Sequence, residues 1–290
     1  MLEDLLVNSR TKKKLQAYAA KPSQALLITG PAGAGKRTLA ATVAANLLRV
    51  DPAKLDDYAY FVRIGLPEGK QEIPVDSIRE LRSTLRLQVP GNAPIRRVAL
   101  IEDAQLMNQE AQNAFLKSLE EPAPGTVFIL TADSSSGMLA TIVSRTASVE
   151  VDPLSLNDSL KFFSNHPESE VKAAWALSQG LPGLMNALLS SDENTLRESV
   201  SRAKDFLGKQ PYERLLALEG LKDKQETIDF LDALARVLKA LYRSAAARDD
   251  KKSLRRVADS FSVVSSAVAD LQSNVTLRLV TLNLVLSLSV

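Results

Sequence analysis

The chain has 290 residues, of which 45% are apolar, and this length is typical of two domains or of one large domain with smaller attachments. The absence of cysteine excludes disulfides and any cysteine-ligated zinc site, and the single histidine, His166, cannot form a metal site or a histidine-based triad alone. The net charge of +2 is too small to identify a nucleic-acid-binding protein by composition.

The first residues, 1–14, lack the apolar stretch of a signal peptide, and no run of about 18 apolar residues occurs in the sequence. We therefore expect a cytoplasmic protein without a transmembrane helix. Basic clusters occur at 12–14, 96–97, 251–252 and 255–256. Because lysine and arginine are ordinary surface residues, each cluster is either a solvated face or a phosphate contact.

Short apolar runs and helix-like segments alternate through the first half of the chain, a pattern typical of βαβ units and a parallel sheet. Strands are predicted at 25–29, 98–101, 126–131 and 147–151. Helices are predicted at 36–48, 76–85 and 108–119. This part of the chain is therefore predicted to belong to the α/β class.

Strand signals almost vanish after Pro153, and helical patterns continue to the end of the chain. Short helices are predicted at 155–163, 168–178 and 182–189, and longer ones include 226–247 and 254–271. The predicted organisation is an α/β domain, a small helical domain and a C-terminal helical domain, with the bounds 1–152, 153–190 and 191–290.

A glycine-rich segment, 30–36, follows the first predicted strand and opens a predicted helix, which is the context that a phosphate-binding loop requires. Gly30, Gly33 and Gly35 allow backbone N–H groups to wrap a phosphate, and the helix N-terminus adds partial positive charge. Lys36 would reach the outer phosphates. The alternative is a tight strand–helix turn with an incidental lysine. The pattern predicts a nucleotide site that can hold ATP.

Two departures from the phosphate-loop pattern affect the metal ion. Arg37 stands where a serine or threonine hydroxyl normally ligates Mg²⁺, and Thr38 points about 100° away on the helix. Glu102 and Asp103 end a strand in the reverse of the expected aspartate–glutamate order, and positioning tolerances in catalysis are tight. The alternative is two acids with no metal role. We therefore expect the Mg²⁺ position, and with it hydrolysis, to be impaired.

Several segments resemble the AAA+ subunits of bacterial clamp loaders. The matching segments are 73–81, 103–108, 113–122, 128–131, 142–146 and 274–282, and within them the block 116–122 (LKSLEEP) is specific to that family. The resemblance implies a RecA-like P-loop domain, a helical lid and a C-terminal collar that holds the subunits together. It also implies a pentameric hetero-oligomer of the DNA polymerase III holoenzyme, which uses ATP to place a sliding clamp on primed DNA.

The resemblance assigns roles to individual residues. Arg145, in the Ser-Arg-Thr segment 144–146, matches the arginine that reaches a neighbouring subunit's ATP, where a guanidinium stabilises developing charge. Thr131 matches a position that senses the nucleotide, and Leu184 stands where a phosphate-contacting arginine is usual. The alternatives are a surface arginine and an ordinary strand threonine. The family's zinc module is missing, and 49–72 is predicted to be a loop in its place.

The family contains ATP-hydrolysing subunits of gamma/tau type and delta-prime subunits. The delta-prime subunits keep the arginine but lose residues of their own ATP-hydrolysing site. Arg37, the Glu102–Asp103 order and Leu184 favour the delta-prime type, with weak or absent ATPase activity of its own. The implied partners are the gamma/tau-type ATPases, delta, the sliding clamp and primed DNA, with no membrane. The alternatives are a gamma/tau-type ATPase, a hexameric AAA+ enzyme that remodels proteins, and a stand-alone nucleotide-binding switch.

Overall fold

A computed structural model describes residues 5–190, 195–221, 223–273 and 275–288. The start of the N-terminal segment, 1–4, and Asn274 of the C-terminal resemblance lie outside these residues. The chain divides into two compact units, Met1–Asp158 with Leu181–Gly183, and Ser159–Gly180 with Leu184–Val290. The three-part division at 152 and 190 stays a prediction.

The first unit is built on a five-stranded parallel sheet in the order β2-β3-β4-β1-β5. Its strands are β1 (Ala25–Thr29), β2 (Phe61–Ile64), β3 (Arg97–Ile101), β4 (Thr126–Ala132) and β5 (Ala147–Glu150). The central strands β3 and β4 are buried along their whole length, because both faces of a parallel sheet are covered by helices. Their sequences are therefore near-continuous apolar runs.

Helix α1 (Ser9–Ala20) precedes the first strand. The helices that connect the strands of this sheet are α2 (Lys36–Leu48), α3 (Val75–Leu85), α4 (Gln109–Glu120) and α5 (Ala140–Val143). The Asn108 side chain accepts a hydrogen bond from the Ala111 amide and so caps α4. Phe115 of α4 packs edge-to-face on Phe128 of β4, with the ring centroids 5.2 Å apart, and both rings are fully buried. This contact fixes α4 on the sheet.

The rest of the chain is helical. Its helices are α6 (Leu156–Phe162), α7 (Glu168–Ser178), α8 (Pro182–Leu189), α9 (Thr195–Gly208), α10 (Pro211–Glu219), α11 (Lys224–Ala247), α12 (Lys251–Gln272) and α13 (Leu277–Ser287). Leu231, Leu234 and Leu238 of α11 are fully buried at helical spacing and form the centre of the second unit's core. None of the helices within the described stretches is long and apolar enough to cross a membrane.

The predicted fold class, a parallel α/β sheet followed by helices, is confirmed, and the four predicted strands agree with the structure to within one residue at each end. The loop prediction for 49–72 is wrong in one part, since this segment contains the edge strand β2. That strand has only four residues, with the charged Arg63 third among them, so its apolar pattern is too short to be recognised. Helix α1 was also not predicted.

Candidate nucleotide site and arginine edge

The phosphate-loop segment joins β1 to α2 at the carboxyl end of the sheet, as the sequence predicts. Gly33 and Gly35 have φ values of 85° and 79°, a left-handed conformation that side chains with a Cβ rarely adopt. The N–H of Gly30 donates to the carbonyl oxygen of Ala132, at 3.2 Å, which ties the loop to the end of β4. The loop therefore has the backbone shape of a phosphate cradle.

The ammonium group of Lys36 is engaged by the protein itself. Its Nζ donates to the carbonyl oxygens of Gly30 and Pro31, at 2.7 and 3.3 Å, and forms an ion pair with Asp133 Oδ1 at 2.7 Å. The Lys36 side chain is only 8% exposed. A phosphate group would have to compete with Asp133, which the sequence analysis missed and which follows the last residue of β4.

Two guanidinium groups lie on the acidic strand end. Arg37 Nη2 pairs with Asp103 Oδ2 at 2.6 Å and its Nε lies 3.4 Å from Glu102 Oε2. Arg63 of β2 pairs with Glu102 Oε1 at 2.6 Å and with exposed Asp56 at 2.8 Å. Neither carboxylate is therefore left without a cation, and the arrangement does not fit Mg²⁺, which needs these oxygens as ligands.

The same contacts shift the pKa of both arginines. The hydrogen bond to Asp103 is the main cause of the raised pKa of Arg37, with the charges of Asp103 and Glu102 adding to it. Partial burial lowers the pKa of Arg63, but its hydrogen bonds to Asp56 and Glu102 raise it by more. Both guanidinium groups are therefore permanently charged counterions of the acidic pair. Arg63 was missed by sequence reasoning because nothing local marks it as a partner of Glu102.

Thr131 and Thr38 have different surroundings. Thr131 is fully buried in β4, and its Oγ1 accepts a hydrogen bond from the Asp103 amide at 3.0 Å. This bond supports Asp103, whose φ of 49° is left-handed. Thr38 is exposed on the first turn of α2, as its helical position predicts. The structure thus brings Thr131 next to the acids and uses its hydroxyl to hold the backbone.

A second glycine-rich segment contacts the loop within the first unit. A Cβ added to Gly183 would lie 2.8 Å from the carbonyl oxygen of Gly33 and 3.1 Å from the amide nitrogen of Gly35. Only glycine fits at this distance without displacing backbone atoms. The neighbouring Leu184 belongs to the second unit, so its relation to the loop stays a prediction.

Arg145 lies apart from these groups, between α5 and the edge strand β5. Its side chain is 42% exposed, with Nη2 donating to Glu120 Oε1 at 3.1 Å and Nη1 to the carbonyl oxygen of Thr141 at 3.2 Å. Glu120 is the last residue of α4. The five N–H donors of a guanidinium exceed these two bonds, so Arg145 can still bind another anion. We call Arg145 and Glu120 the arginine edge.

The loop geometry and the five-stranded parallel sheet define a P-loop domain of the AAA+ class. The family described as DNA polymerase III, delta subunit, matches residues 7–155, just over half of the chain. The chain therefore belongs to this family, within which it is a delta-prime-like clamp-loader subunit.

Known relatives agree with this assignment. The chain is 35% identical over 185 residues to DNA polymerase III subunit delta' of Pseudomonas aeruginosa, covering 56% of this chain and 55% of that protein. It is 29% identical over 160 residues to the replication factor C small subunit of Saccharolobus solfataricus, covering 54% and 46%. The chain thus spans about half the length of these curated relatives.

A solved structure supports the fold over nearly the whole chain. A DNA polymerase III gamma subunit-related protein from Thermotoga maritima superimposes with a TM-score of 0.59 and covers 94% of this chain and 97% of that one. At 18% sequence identity this likeness shows the fold alone. It extends beyond the P-loop domain into the helical part of the chain.

Proposed function

We propose that this chain works in a clamp loader as a delta-prime-like scaffold, which supplies Arg145 to the ATP of a neighbouring ATPase subunit and does not hydrolyse ATP itself. The observation that carries this proposal is the contrast between an internally neutralised pocket and an exposed arginine. In this role the chain assists in loading a sliding clamp onto primed DNA. Its partners would be gamma/tau-type ATPases and delta.

The pocket argues against hydrolysis by the chain. Hydrolysis in P-loop proteins needs a metal ion held by a hydroxyl after the loop lysine and by a strand-end acid. Arg37 replaces that hydroxyl, and both strand-end acids are already paired with guanidinium groups. ATP could enter only if Lys36 exchanged Asp133 for a phosphate. We therefore propose that any nucleotide held here is held without productive Mg²⁺.

Arg145 suits a role in trans because it is accessible and pre-oriented. Its two hydrogen bonds hold the guanidinium at the end of α4 while leaving other N–H donors for a phosphate. A fixed guanidinium stabilises the charge that develops on transferring phosphoryl oxygens, and it loses little entropy on binding. The position of Arg145 on the surface lets a second subunit's nucleotide reach it.

The C-terminal helix fits an assembly role. Leu279, Leu282 and Leu286 of α13 are exposed and recur at the spacing of one helix face. The opposite face of α13 is already buried in the core of the second unit through Val280, Leu284 and Val285. A helix that is apolar on both sides has a second partner to bind. We propose that this face joins the collar of the hetero-oligomer.

Reconstitution tests the proposal. The chain is mixed with the gamma/tau-type ATPase, delta, sliding clamp and primed DNA of its own organism, and steady-state ATPase activity is compared for wild type and Arg145→Ala. We expect turnover at the site that Arg145 serves to fall about a thousandfold, with assembly unchanged by analytical ultracentrifugation. The matched control is Arg202→Ala, because Arg202 is similarly exposed and paired with Glu226 at 3.0 Å. Unchanged turnover with Arg145→Ala would refute the role of Arg145.

A gamma/tau-type ATPase is the second candidate, since the loop glycines and Lys36 are intact. The discriminating measurement is steady-state ATPase activity of the isolated chain with Mg²⁺. Brisk turnover without partners would favour this candidate over the scaffold.

A further inference from the structure

The hairpin of α11 and α12 concentrates positive charge far beyond the average of the chain. Residues 236–256 contain eight lysines and arginines against two aspartates, although the whole chain has a net charge of only +2. One of the two acids, Asp250, caps the N-terminus of α12 through its side chain. This segment is therefore a strongly basic surface that the proposed role of Arg145 at a neighbouring ATPase subunit does not use.

A cavity of about 360 Å³ lies in this surface, between the C-terminal end of α7 and the helices α11 and α12. Its floor is apolar and includes fully buried Leu238, with Ala258 and Phe261 beside it. Two cations, Lys239 and Arg243, line the same cavity. We call this cavity and its two cations the α11–α12 pocket. Its size suits one large side chain of a partner.

The cations of the pocket are held in place by contacts other than ion pairs. Arg243 donates from Nη2 to the carbonyl oxygen of Ala176, at 3.1 Å, which anchors the guanidinium beside the cavity. The ammonium of Lys239 lies 5.0 Å from the centroid of the Phe261 ring. None of the ion pairs found among the described residues includes Lys239 or Arg243. Asp232 of α11 interacts electrostatically with Lys239 as well as with Arg236, but without an ion pair. Both cations can therefore form an ion pair with an incoming anion.

Exposed Tyr242 and the contact of Lys239 with the Phe261 ring favour a peptide over nucleic acid as the ligand of this pocket. Tyr242, which also lines the pocket, is 45% exposed, and tyrosine and arginine are typical of the energetically dominant positions of protein interfaces. Single-stranded nucleic acid stacks successive bases on aromatic rings, whereas Lys239 covers the face of Phe261 and leaves Tyr242 as the one open ring in the lining of this pocket. A concave apolar floor instead receives a single side chain, with charges around it pairing with carboxylates.

We propose that the α11–α12 pocket binds an acidic segment of a partner protein, with an aromatic side chain in the cavity and flanking carboxylates on Lys239 and Arg243. The site lies outside the nucleotide pocket and the arginine edge. It would recruit a partner independently of ATP turnover, so the proposal does not depend on the role of Arg145.

Fluorescence anisotropy of the full chain tests this proposal. The probe is a fluorescein-labelled peptide in which one phenylalanine is flanked on each side by two aspartates. Ala258→Trp fills the cavity from an exposed position, and Lys239→Glu reverses one charge. We expect each variant to weaken binding by at least about tenfold. Lys204→Glu, an exposed charge reversal on α9, should leave the affinity unchanged.

Three further probes complete the test. Replacing the aspartates of the peptide by asparagine, or its phenylalanine by alanine, should each abolish binding to the wild-type chain. A labelled single-stranded oligonucleotide should bind equally to wild type and Ala258→Trp. Failure of the acidic peptide to bind, or binding that Ala258→Trp leaves unchanged, overturns the proposal. Oligonucleotide binding that is lost in both variants would show a nucleic-acid site instead.

Discussion

The phosphate-loop pocket and the arginine edge belong to the same unit but use their cations in opposite ways. In the pocket, Lys36 is buried and bonded to its own loop and to Asp133, while Arg37 is paired with the strand-end acids. At the edge, Arg145 is 42% exposed and has one carboxylate partner, Glu120, that is itself exposed. The cations of the pocket are thus neutralised by groups of the pocket itself. Arg145, in contrast, can exchange its exposed ion pair with Glu120 for an anion that binds more strongly.

The backbone shape of the phosphate-loop pocket and the charges inside it have different origins. The pocket keeps the backbone shape of a nucleotide site, because the loop glycines and the parallel sheet impose that shape. Its charges differ from those of a metal-binding pocket, because guanidinium groups contributed by α2 and β2 are paired with the strand-end acids. This partly exposed charge network connects β2, the end of β3 and α2. Substitutions in the pocket should therefore affect stability, and substitutions at the edge should affect function.

The largest expected effect on stability is that of Gly183→Ala. The new Cβ would press on the backbone of Gly33 and Gly35, and overpacking of this kind costs about 1–3 kcal/mol. Chemical denaturation followed by circular dichroism measures the change in the free energy of unfolding. Gly208→Ala is the matched control, since nothing lies within 4 Å of its Cβ, and it should stabilise α9 slightly. Equal stabilities for the two variants would show that the contact of Gly183 with the loop is absent.

Next in size is Glu102→Gln. The amide cannot neutralise Arg63 and Arg37, so we expect a loss of about 1–2 kcal/mol, reduced from a fully buried pair because both arginines are partly exposed. Asp56→Asn removes the other, exposed partner of Arg63 and should cost less than about 0.5 kcal/mol. If Glu102 and Asp103 formed a vacant metal site, Glu102→Gln would relieve repulsion and stabilise the chain.

These tests concern contacts that the sequence alone does not reveal. The loop, α2 and the strand-end acids were predictable because each rests on local spacing. Asp133 and Arg63 were not, since they reach Lys36 and Glu102 from β-strand ends far away in the chain. The close approach of Gly183 is equally long-range. Local patterns thus predicted the groups of the pocket, while their pairing depends on tertiary structure.

The smallest expected effect on stability is that of Glu120→Gln at the arginine edge. An exposed ion pair contributes about 0.2–1 kcal/mol, so unfolding should hardly change. In the reconstituted loader, however, a less oriented Arg145 should lower the maximal ATPase rate several-fold without changing KM. Glu121→Gln is the control, because Glu121 is a neighbouring acid that does not contact Arg145. A faster rate with Glu120→Gln would show that Glu120 restrains Arg145 rather than orienting it.

The most direct test of the account compares Lys36→Ala with Arg145→Ala in the same reconstituted clamp loader. Both substitutions remove one positive charge from the first unit, but only Arg145 is proposed to face a nucleotide that is hydrolysed. The account predicts wild-type ATPase turnover with Lys36→Ala and a severe loss with Arg145→Ala, at equal assembly. Loss of turnover with Lys36→Ala, together with normal turnover for Arg145→Ala, would contradict it.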